Sequence, residues 1–165
     1  MFTQDITTEK SKVILLVGPP LSGKDTFLKS QDITDFTVIS RDDILMSLHD
    51  NSSYSEAFDK VDQKEVDRLL NKKIQDSISK KENVIINMTN LSPKSRNKHL
   101  CKFANTDYYK IAIVFPKLDL TDYINRNEGR SISENKFIPL PVIKNMLDNW
   151  TDITDSEGFD TIIKL

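Results

Sequence analysis

A glycine-rich loop near the start of the chain follows directly on a short apolar run. The run Val13–Val17 has the length of a buried strand, and residues 18–26 then read Gly-Pro-Pro-Leu-Ser-Gly-Lys-Asp-Thr. The spacing G-x-x-x-x-G-K between a strand and a helix is specific for a loop that cradles phosphates. Glycines allow the tight turn, and they let backbone N–H groups point into it. The sequence therefore predicts a strand–loop–helix unit that binds a nucleoside triphosphate.

The polar side chains of this loop have expected roles at the phosphates. Lys24 supplies a cation for the β- and γ-phosphates, and the N-terminus of the following helix adds partial positive charge. Asp25 stands where Ser or Thr normally contacts Mg²⁺, and a carboxylate is also a hard oxygen ligand that suits this ion. We therefore expect ATP and Mg²⁺ as cofactors, with Asp25 as a metal ligand. The loop residues assigned to nucleotide binding are Gly18, Ser22, Gly23, Lys24, Asp25 and Thr26.

Apolar runs alternate with amphipathic segments along the chain, which is typical of βαβ units and a parallel sheet. The segment 56–81 carries apolar side chains at helical spacing and predicts one long amphipathic helix. We predict an α/β P-loop kinase fold, a parallel sheet of about five strands flanked by helices, with an arginine-bearing lid. One domain is expected over residues 1–165, with 1–11 as a flexible N-terminal arm. The predicted strands are 12–17, 36–39, 83–86, 109–115 and 161–165.

Composition sets bounds on compartment and partners. The net charge of −2 gives no global attraction to nucleic acid, so any such contact needs a local basic patch. Cys101 is the only cysteine and is expected as a small buried residue, whereas His49 and His99 are expected as solvated helix positions. No stretch approaches membrane-spanning length, and the start of the chain lacks an apolar signal core. We expect no membrane partner and a cytoplasmic location, and the oligomeric state stays open.

Two adjacent acids follow the second predicted strand, in Ser40-Arg-Asp-Asp43. Ligands of parallel sheets bind at the carboxyl ends of the strands, so this position belongs to the candidate site. We assign Asp42 as the general base that accepts the proton of a substrate hydroxyl, and Asp43 as the helix cap. Arg41 either orients Asp42 or touches phosphate. The alternative is that both acids simply cap the helix.

Two further sets of polar residues follow later strands. Thr89 and Asn90 come after the third strand, and we assign them to hydrogen-bond the acceptor substrate, the alternative being a turn and a helix cap. Residues 128–137 are a polar stretch that is predicted as a mobile loop. Arg126 precedes this stretch, and Arg130 lies within it. An arginine-bearing lid over a phosphate site would neutralise the transferring phosphoryl group, although a solvated charged loop is the other interpretation.

Four blocks of the chain, in order, resemble the kinase domain of bacteriophage polynucleotide kinases. These enzymes phosphorylate 5′-hydroxyl ends of DNA and RNA and act in nucleic acid repair. The resemblance extends from the first strand to Trp150, and its specificity comes from the ordered set rather than from the loop alone. The blocks are 18–26, 40–43, 84–93, and 126–130 with 138–143 downstream.

The resemblance implies a role for individual residues. Lys24 takes the place of the phosphate-binding lysine and Asp42 that of the general base. Arg130 takes the place of the lid arginine, with Arg126 as a supporting nucleotide contact, and Thr89 that of a threonine at the acceptor. If the chain is of phage origin, the expected compartment is the host cytoplasm.

Three positions depart from the family pattern. The loop serine is Asp25, an aspartate at the end of the third strand is Met88, and an arginine one helical turn after the base is Leu45. We hypothesise that Asp25 partly takes over the organisation of the metal. The change at Leu45 favours a smaller acceptor than nucleic acid.

The sequence leads to one preferred function and two alternatives. The preferred function is ATP-dependent transfer of the γ-phosphoryl group to the 5′-hydroxyl of a polynucleotide, whose 5′ end is then the partner. The first alternative is a P-loop kinase of a nucleoside, nucleotide or sugar. The second is a non-catalytic nucleotide-binding module.

Overall fold

A parallel β-sheet forms the centre of the computed structural model, which describes residues 6, 8–49, 53–134 and 136–165. Its strands are β1 Ser11–Val17, β2 Phe36–Ile39, β3 Asn83–Ile86, β4 Tyr108–Val114 and β5 Thr161–Lys164. They lie in the order β2-β3-β1-β4-β5, and every neighbouring pair is parallel. The predicted α/β fold with a five-stranded parallel sheet is thereby confirmed. Most of the predicted N-terminal arm lies outside the described residues.

Seven helices pack around the sheet in the described part of the chain. The central strand β1 explains the arrangement, because Val13–Val17 are all 0% exposed. Val13 and Leu15 point into one apolar cluster and Ile14 and Leu16 into another, so helices cover both faces. The helices are α1 Lys24–Lys29, α2 Arg41–Ser47, α3 Tyr54–Lys60, α4 Gln63–Ser79, α5 Pro93–Leu100, α6 Leu120–Glu134 and α7 Leu140–Asp148.

The burial of β1 fixes the place where the phosphate loop starts. Each fully buried Val, Leu or Ile side chain stabilises the fold by about 1.5–3 kcal/mol. Val17 is the last residue of the strand and is itself fully buried. The loop therefore begins from one of the most strongly anchored points of the molecule.

The long helix predicted over 56–81 is wrong, because the chain divides it into α3 and α4. Val61 has extended backbone angles, φ −81° and ψ 137°, which end α3. The Asp62 side chain then accepts a hydrogen bond from the N–H of Lys64 at 2.9 Å and starts α4. A side chain that satisfies the free N–H groups of a new first turn makes the break favourable.

The mobile loop predicted over 128–137 is also wrong for most of its length. Helix α6 continues through it to Glu134. Tyr123 and Asn127 are buried on one face of α6. Arg130 and Glu134 form an i,i+4 ion pair on it, which offsets part of the cost of Gly129 in the helix interior. The two arginines predicted for a lid are thus carried by a helix.

Two single residues also differ from the expectation. Cys101 is exposed in a 3₁₀ turn that follows α5. His99 on α5 is only 2% exposed, which differs from the predicted solvated position.

Within the described ranges, no helix is both long and apolar enough to cross a membrane.

The buried His99 makes stability depend on pH. Burial, and to a smaller extent the nearby cations Lys102 and Lys98, lowers the pKa of its imidazole to about 4. Below the unfolded pKa of 6.5 the unfolded chain binds a proton that the folded chain does not, so stability falls as the pH drops from 6.5 towards 4. At pH 5 this amounts to about 2 kcal/mol.

We therefore expect His99→Leu to reduce the loss of stability on acidification. The measurement is the free energy of unfolding in urea at pH 7.5 and pH 5 for both proteins. The difference between the two pH values should be smaller by about 2 kcal/mol in the variant. If both proteins lose the same free energy, a neutral buried imidazole is not the cause.

Candidate active site

One hydrogen bond and two glycines shape the loop between β1 and α1. The N–H of Gly18 donates to the Thr89 carbonyl at 2.9 Å, which ties the loop to the segment after β3. A Cβ at Gly18 would lie 2.7 Å from Ser22 Oγ and 2.9 Å from Phe115 Cβ, so a larger residue does not fit. Gly23 has a φ of 98°, in the region that favours glycine. Both motif glycines are therefore required by this geometry.

The side chain of Lys24, the first residue of α1, lies within the loop that precedes the helix. Its ammonium donates to the carbonyls of Gly18 at 2.8 Å and Pro19 at 2.6 Å. Burial lowers its pKa to about 8, and Arg130 acts in the same direction, while Asp25 and Asp42 oppose the shift. A buried cation among carbonyl oxygens is a site where phosphate oxygens can replace the carbonyls.

The loop opens onto a cavity of about 1320 Å³. Ten of the twelve site residues predicted from the sequence line it, and it has room for a nucleotide and a second substrate. The ten are Ser22, Gly23, Lys24, Asp25, Thr26, Arg41, Asp42, Thr89, Arg126 and Arg130.

The other two predicted residues do not line the cavity. Gly18 acts through its backbone, as described above. Asn90 is 2% exposed, has a φ of 50°, and donates its side-chain amide to the Leu16 carbonyl at 2.8 Å. Its assignment as an acceptor contact is therefore wrong, because the amide is used to hold the segment after β3 against β1.

The assignment of Asp43 as the cap of α2 is wrong. Ser40 is the N-cap, since its hydroxyl accepts from the N–H of Asp43. The carboxylates of Asp42 and Asp43 are both exposed and line the cavity. Arg41 donates to Asp67 and Gln63 of α4, so its guanidinium holds α2 against α4 and makes no described bond to Asp42.

Tyr54 is a site residue that the sequence analysis missed. Its hydroxyl donates to Asp42 Oδ1 at 2.9 Å. Burial and the neighbouring Asp42 raise the pKa of Tyr54 to about 12, so the phenol stays protonated. The signal available in the sequence was the capping pattern Ser53-x-x-Glu56, which places a helix start at this tyrosine.

Asn87 is the second residue that was missed. It follows β3, and its side-chain amide donates to Asp25 Oδ1 at 3.0 Å across the cavity edge. The adjacent Met88 packs against the apolar core instead. The amide fixes one oxygen of the Asp25 carboxylate, which therefore has a set orientation beside the loop.

The oxygen donors at this edge fit Mg²⁺. Asp25 and Thr26 are exposed to the cavity, and Mg²⁺ is commonly held by one or two carboxylates together with substrate phosphates and water. Among the described residues, no group of three or more His, Cys, Asp or Glu side chains could hold a metal alone. Phosphate oxygens and water would complete the coordination.

Helix α6 brings two arginines to the cavity. Arg126 donates to the Leu21 carbonyl at 2.9 Å, and Leu21 has the unusual φ of 67° for a residue with a side chain. Arg130 is held by Glu134, with Nε 3.0 Å from the carboxylate. One arginine thus supports the loop, and the other faces Lys24 closely enough to lower its pKa.

The sequence profile of one family, described as AAA domain, matches residues 13–153. The chain belongs to the AAA domain family. No curated protein matches the chain. The matched region runs from β1 past α7, so it contains all of the cavity residues described above.

Solved structures show the same fold. One is titled as a Pnkp1/Rnl/Hen1 RNA repair complex; it is 24% identical, with a TM-score of 0.66, and the match covers 88% of this AAA domain but 45% of that chain. A Sinorhizobium meliloti gluconokinase is 16% identical, with a TM-score of 0.54 and coverage of 96% and 83%. Chaetomium thermophilum Kti12 with ADP-AlF₃ is 16% identical, with a TM-score of 0.62 and coverage of 93% and 88%.

Together with the family match, these likenesses show a P-loop kinase-like fold. The AAA domain spans less than half the length of the matched chain in the RNA repair complex. The acceptor therefore has to be argued from the site itself.

Proposed function

We propose that this AAA domain transfers the γ-phosphoryl group of ATP to the 5′-hydroxyl of a polynucleotide. The observation that carries the proposal is the convergence of Lys24, Asp42 and Arg130 on one cavity, where Asp42 and Arg130 both shift the pKa of Lys24. A cation at the donor phosphates, a carboxylate at the acceptor and a lid arginine are the parts that transfer to a hydroxyl requires.

Each residue has a defined task in the proposed reaction. The loop N–H groups and Lys24 neutralise the donor phosphates, and Asp42 accepts the proton of the attacking hydroxyl. Arg130 leaves Glu134 and contacts the transferring phosphoryl group, whose transition state is loose and depends on charge stabilisation. Asp25 and Thr26 would hold Mg²⁺, which when bound neutralises charge on the phosphates.

Three observations favour a polynucleotide acceptor. The ordered sequence blocks resemble phage polynucleotide kinases, and one solved structure of the same fold belongs to an RNA repair complex. The cavity lining is also basic on balance, with six cationic side chains and four carboxylates among the described residues. The cations are Lys24, Lys29, Arg41, Arg126, Arg130 and Lys136, and the carboxylates are Asp25, Asp42, Asp43 and Glu134.

A small-molecule acceptor is the second candidate. Leu45 is 0% exposed in the core, at the position where the resemblance has an arginine that contacts substrate phosphate. Helix α2 therefore offers no such arginine to a nucleic acid. One solved structure of the same fold is titled as a gluconokinase.

A labelling experiment separates these functions. The AAA domain is incubated with γ-labelled ATP and either 5′-hydroxyl oligonucleotides, matched 5′-phosphorylated oligonucleotides, or a panel of nucleosides, nucleotides and sugars. Label on 5′-hydroxyl ends alone supports the proposal, and label on a small molecule alone replaces it by the second candidate. ATP protection against heat unfolding without transfer to any acceptor would indicate a non-catalytic module.

The Asp25 carboxylate leads to a prediction about the metal. It repels a polyphosphate unless a divalent cation lies between them, so Mg²⁺ should tighten nucleotide binding strongly. We expect Asp25→Ser to lower the ratio of the ADP Kd in EDTA to that in Mg²⁺ by about tenfold. The ratio is measured by isothermal titration calorimetry, which requires no acceptor.

Two further variants sharpen this test. Asp43→Ser removes another cavity carboxylate and should leave the ratio unchanged. Adding Met88→Asp to Asp25→Ser should restore part of the ratio, because it returns an acid to the end of β3. A ratio that Asp25→Ser does not alter, or no coupling in the double variant, contradicts the role given to Asp25.

A further inference from the structure

We propose that Tyr54 is a positioning residue that holds the Asp42 carboxylate towards the acceptor. It also connects Asp42 to the segment that follows α6, the helix that carries the two arginines predicted for a lid. The inference rests on the proposed function, since it takes Asp42 as the general base. It assigns separate tasks to the hydroxyl and to the ring of one side chain.

The position of Tyr54 is fixed by its own helix. It is the first residue of α3, and Ser53 caps that helix by accepting a hydrogen bond from the N–H of Glu56. The ring packs against the core cluster and lies 6.3 Å from the ring of Phe58. A hydroxyl on such a ring is a donor with little freedom to move.

Asp42, by contrast, has few supports of its own. It lies in the first turn of α2, its side chain is exposed, and Arg41 beside it is engaged with α4. The hydrogen bond from Tyr54 to Oδ1 therefore selects one orientation of the carboxylate. Oδ2 is then the oxygen that can take the proton of the acceptor hydroxyl.

The hydrogen bond to Asp42 requires a protonated phenol on Tyr54. The charged groups around this pair are Lys24 across the cavity, Arg41 and Asp43 on α2, and Arg130 on α6. Because the phenol stays protonated well above neutral pH, it donates over the whole working range.

The face of the ring makes a different contact. The Lys136 ammonium lies 5.4 Å from the centroid of the Tyr54 ring, within cation–π range. Lys136 follows α6, the helix that carries Arg126 and Arg130. The same side chain thus touches the base through its hydroxyl and the end of the lid through its ring.

Tyr54→Phe tests the hydroxyl, because phenylalanine keeps the ring and its packing. With γ-labelled ATP and a 5′-hydroxyl oligonucleotide, we expect kcat/KM to fall about tenfold, the effect of losing a hydrogen bond to a charged group. We expect this loss to fall on kcat, with the KM for ATP within about twofold, because the change frees the base and leaves the phosphate loop intact. The matched control is Tyr109→Phe, which removes a hydroxyl bonded to Thr161 on the sheet and should leave kcat and KM unchanged.

Lys136→Gln tests the ring contact independently. It should raise the KM for ATP, since the segment after α6 loses its contact, and leave kcat within about twofold. A wild-type kcat in Tyr54→Phe, or an equal fall in Tyr109→Phe, overturns the proposal. If Asp42→Asn is inactive in the same assay, the proposed function survives that result; if the wild type transfers no label to this acceptor, both proposals fail.

Discussion

Asparagine in place of Asp42 is expected to lower phosphoryl transfer about 10²–10⁴-fold, the range of general base catalysis. The amide has the shape of the carboxylate, and its oxygen still accepts from Tyr54, so the fold and the hydrogen bond at 2.9 Å are kept. What is lost is the group that accepts a proton. The measurement is kcat/KM for a 5′-hydroxyl oligonucleotide, together with the Kd of Mg·ADP, which should stay within about twofold.

The neighbouring acid provides the matched control for this prediction. Asp43 is also exposed at the cavity, but the structure assigns the helix cap to Ser40 and gives Asp43 no bond to the reacting groups. We expect Asp43→Asn to change kcat/KM by less than about threefold. Transfer that survives in Asp42→Asn, or that is lost in Asp43→Asn instead, would remove Asp42 from the role of base.

Removal of Arg96 is expected to cause the largest loss of stability. Arg96 is 0% exposed and forms two bonds to Glu157, at 2.6 and 2.7 Å. It also donates to the carbonyls of Leu91 and Thr151. Arg96→Ala leaves a largely buried carboxylate and several carbonyls without this donor, and breaking a buried pair in this way costs about 3–5 kcal/mol.

The expected change is measured as the free energy of unfolding in urea at constant m-value. The control is Arg68→Ala, because Arg68 and Glu65 form an exposed pair that should contribute less than about 1 kcal/mol. Glu157→Gln keeps a partner for the guanidinium and should fall between the two, which preserves the test if Arg96→Ala does not fold. A loss in Arg96→Ala no greater than in Arg68→Ala contradicts this account.

The loss should also reach the candidate site. Arg96 donates to the Asn90 carbonyl, and the Asn90 amide holds the Leu16 carbonyl one residue before the end of β1. The ion pair with Glu157 is thus connected to the strand that starts the phosphate loop. A chain that folds without it should bind nucleotide more weakly.

The parts of the fold that the sequence predicts are those fixed by local pattern. The apolar run before Gly18 forms β1 at the centre of the sheet, because five consecutive buried residues need cover on both faces. The residues after each strand meet at one edge because the sheet is parallel. This is why Lys24, Asp42 and Thr89 share a cavity although they are far apart in the chain.

The parts that the sequence does not predict depend on contacts between distant segments. Asn127 on α6 exchanges hydrogen bonds with the backbone of Ile138, which lies beyond the end of that helix. The break before α4 depends on one side-chain hydrogen bond of Asp62. Tyr54 reaches Asp42 only because α3 folds back onto α2. Polar residues such as His99 are buried by the packing of their helix, which residue type alone does not indicate.

Binding of Mg·ADP to the wild type and to Lys24→Met, followed by isothermal titration calorimetry, tests the central claim most directly. The claim is that a polyphosphate lies among the loop amides with the Lys24 ammonium beside it. Methionine keeps the length of the buried side chain without its charge, so the fold should persist while the Kd rises at least about tenfold. No binding by the wild type, or equal binding by both proteins, would contradict the account.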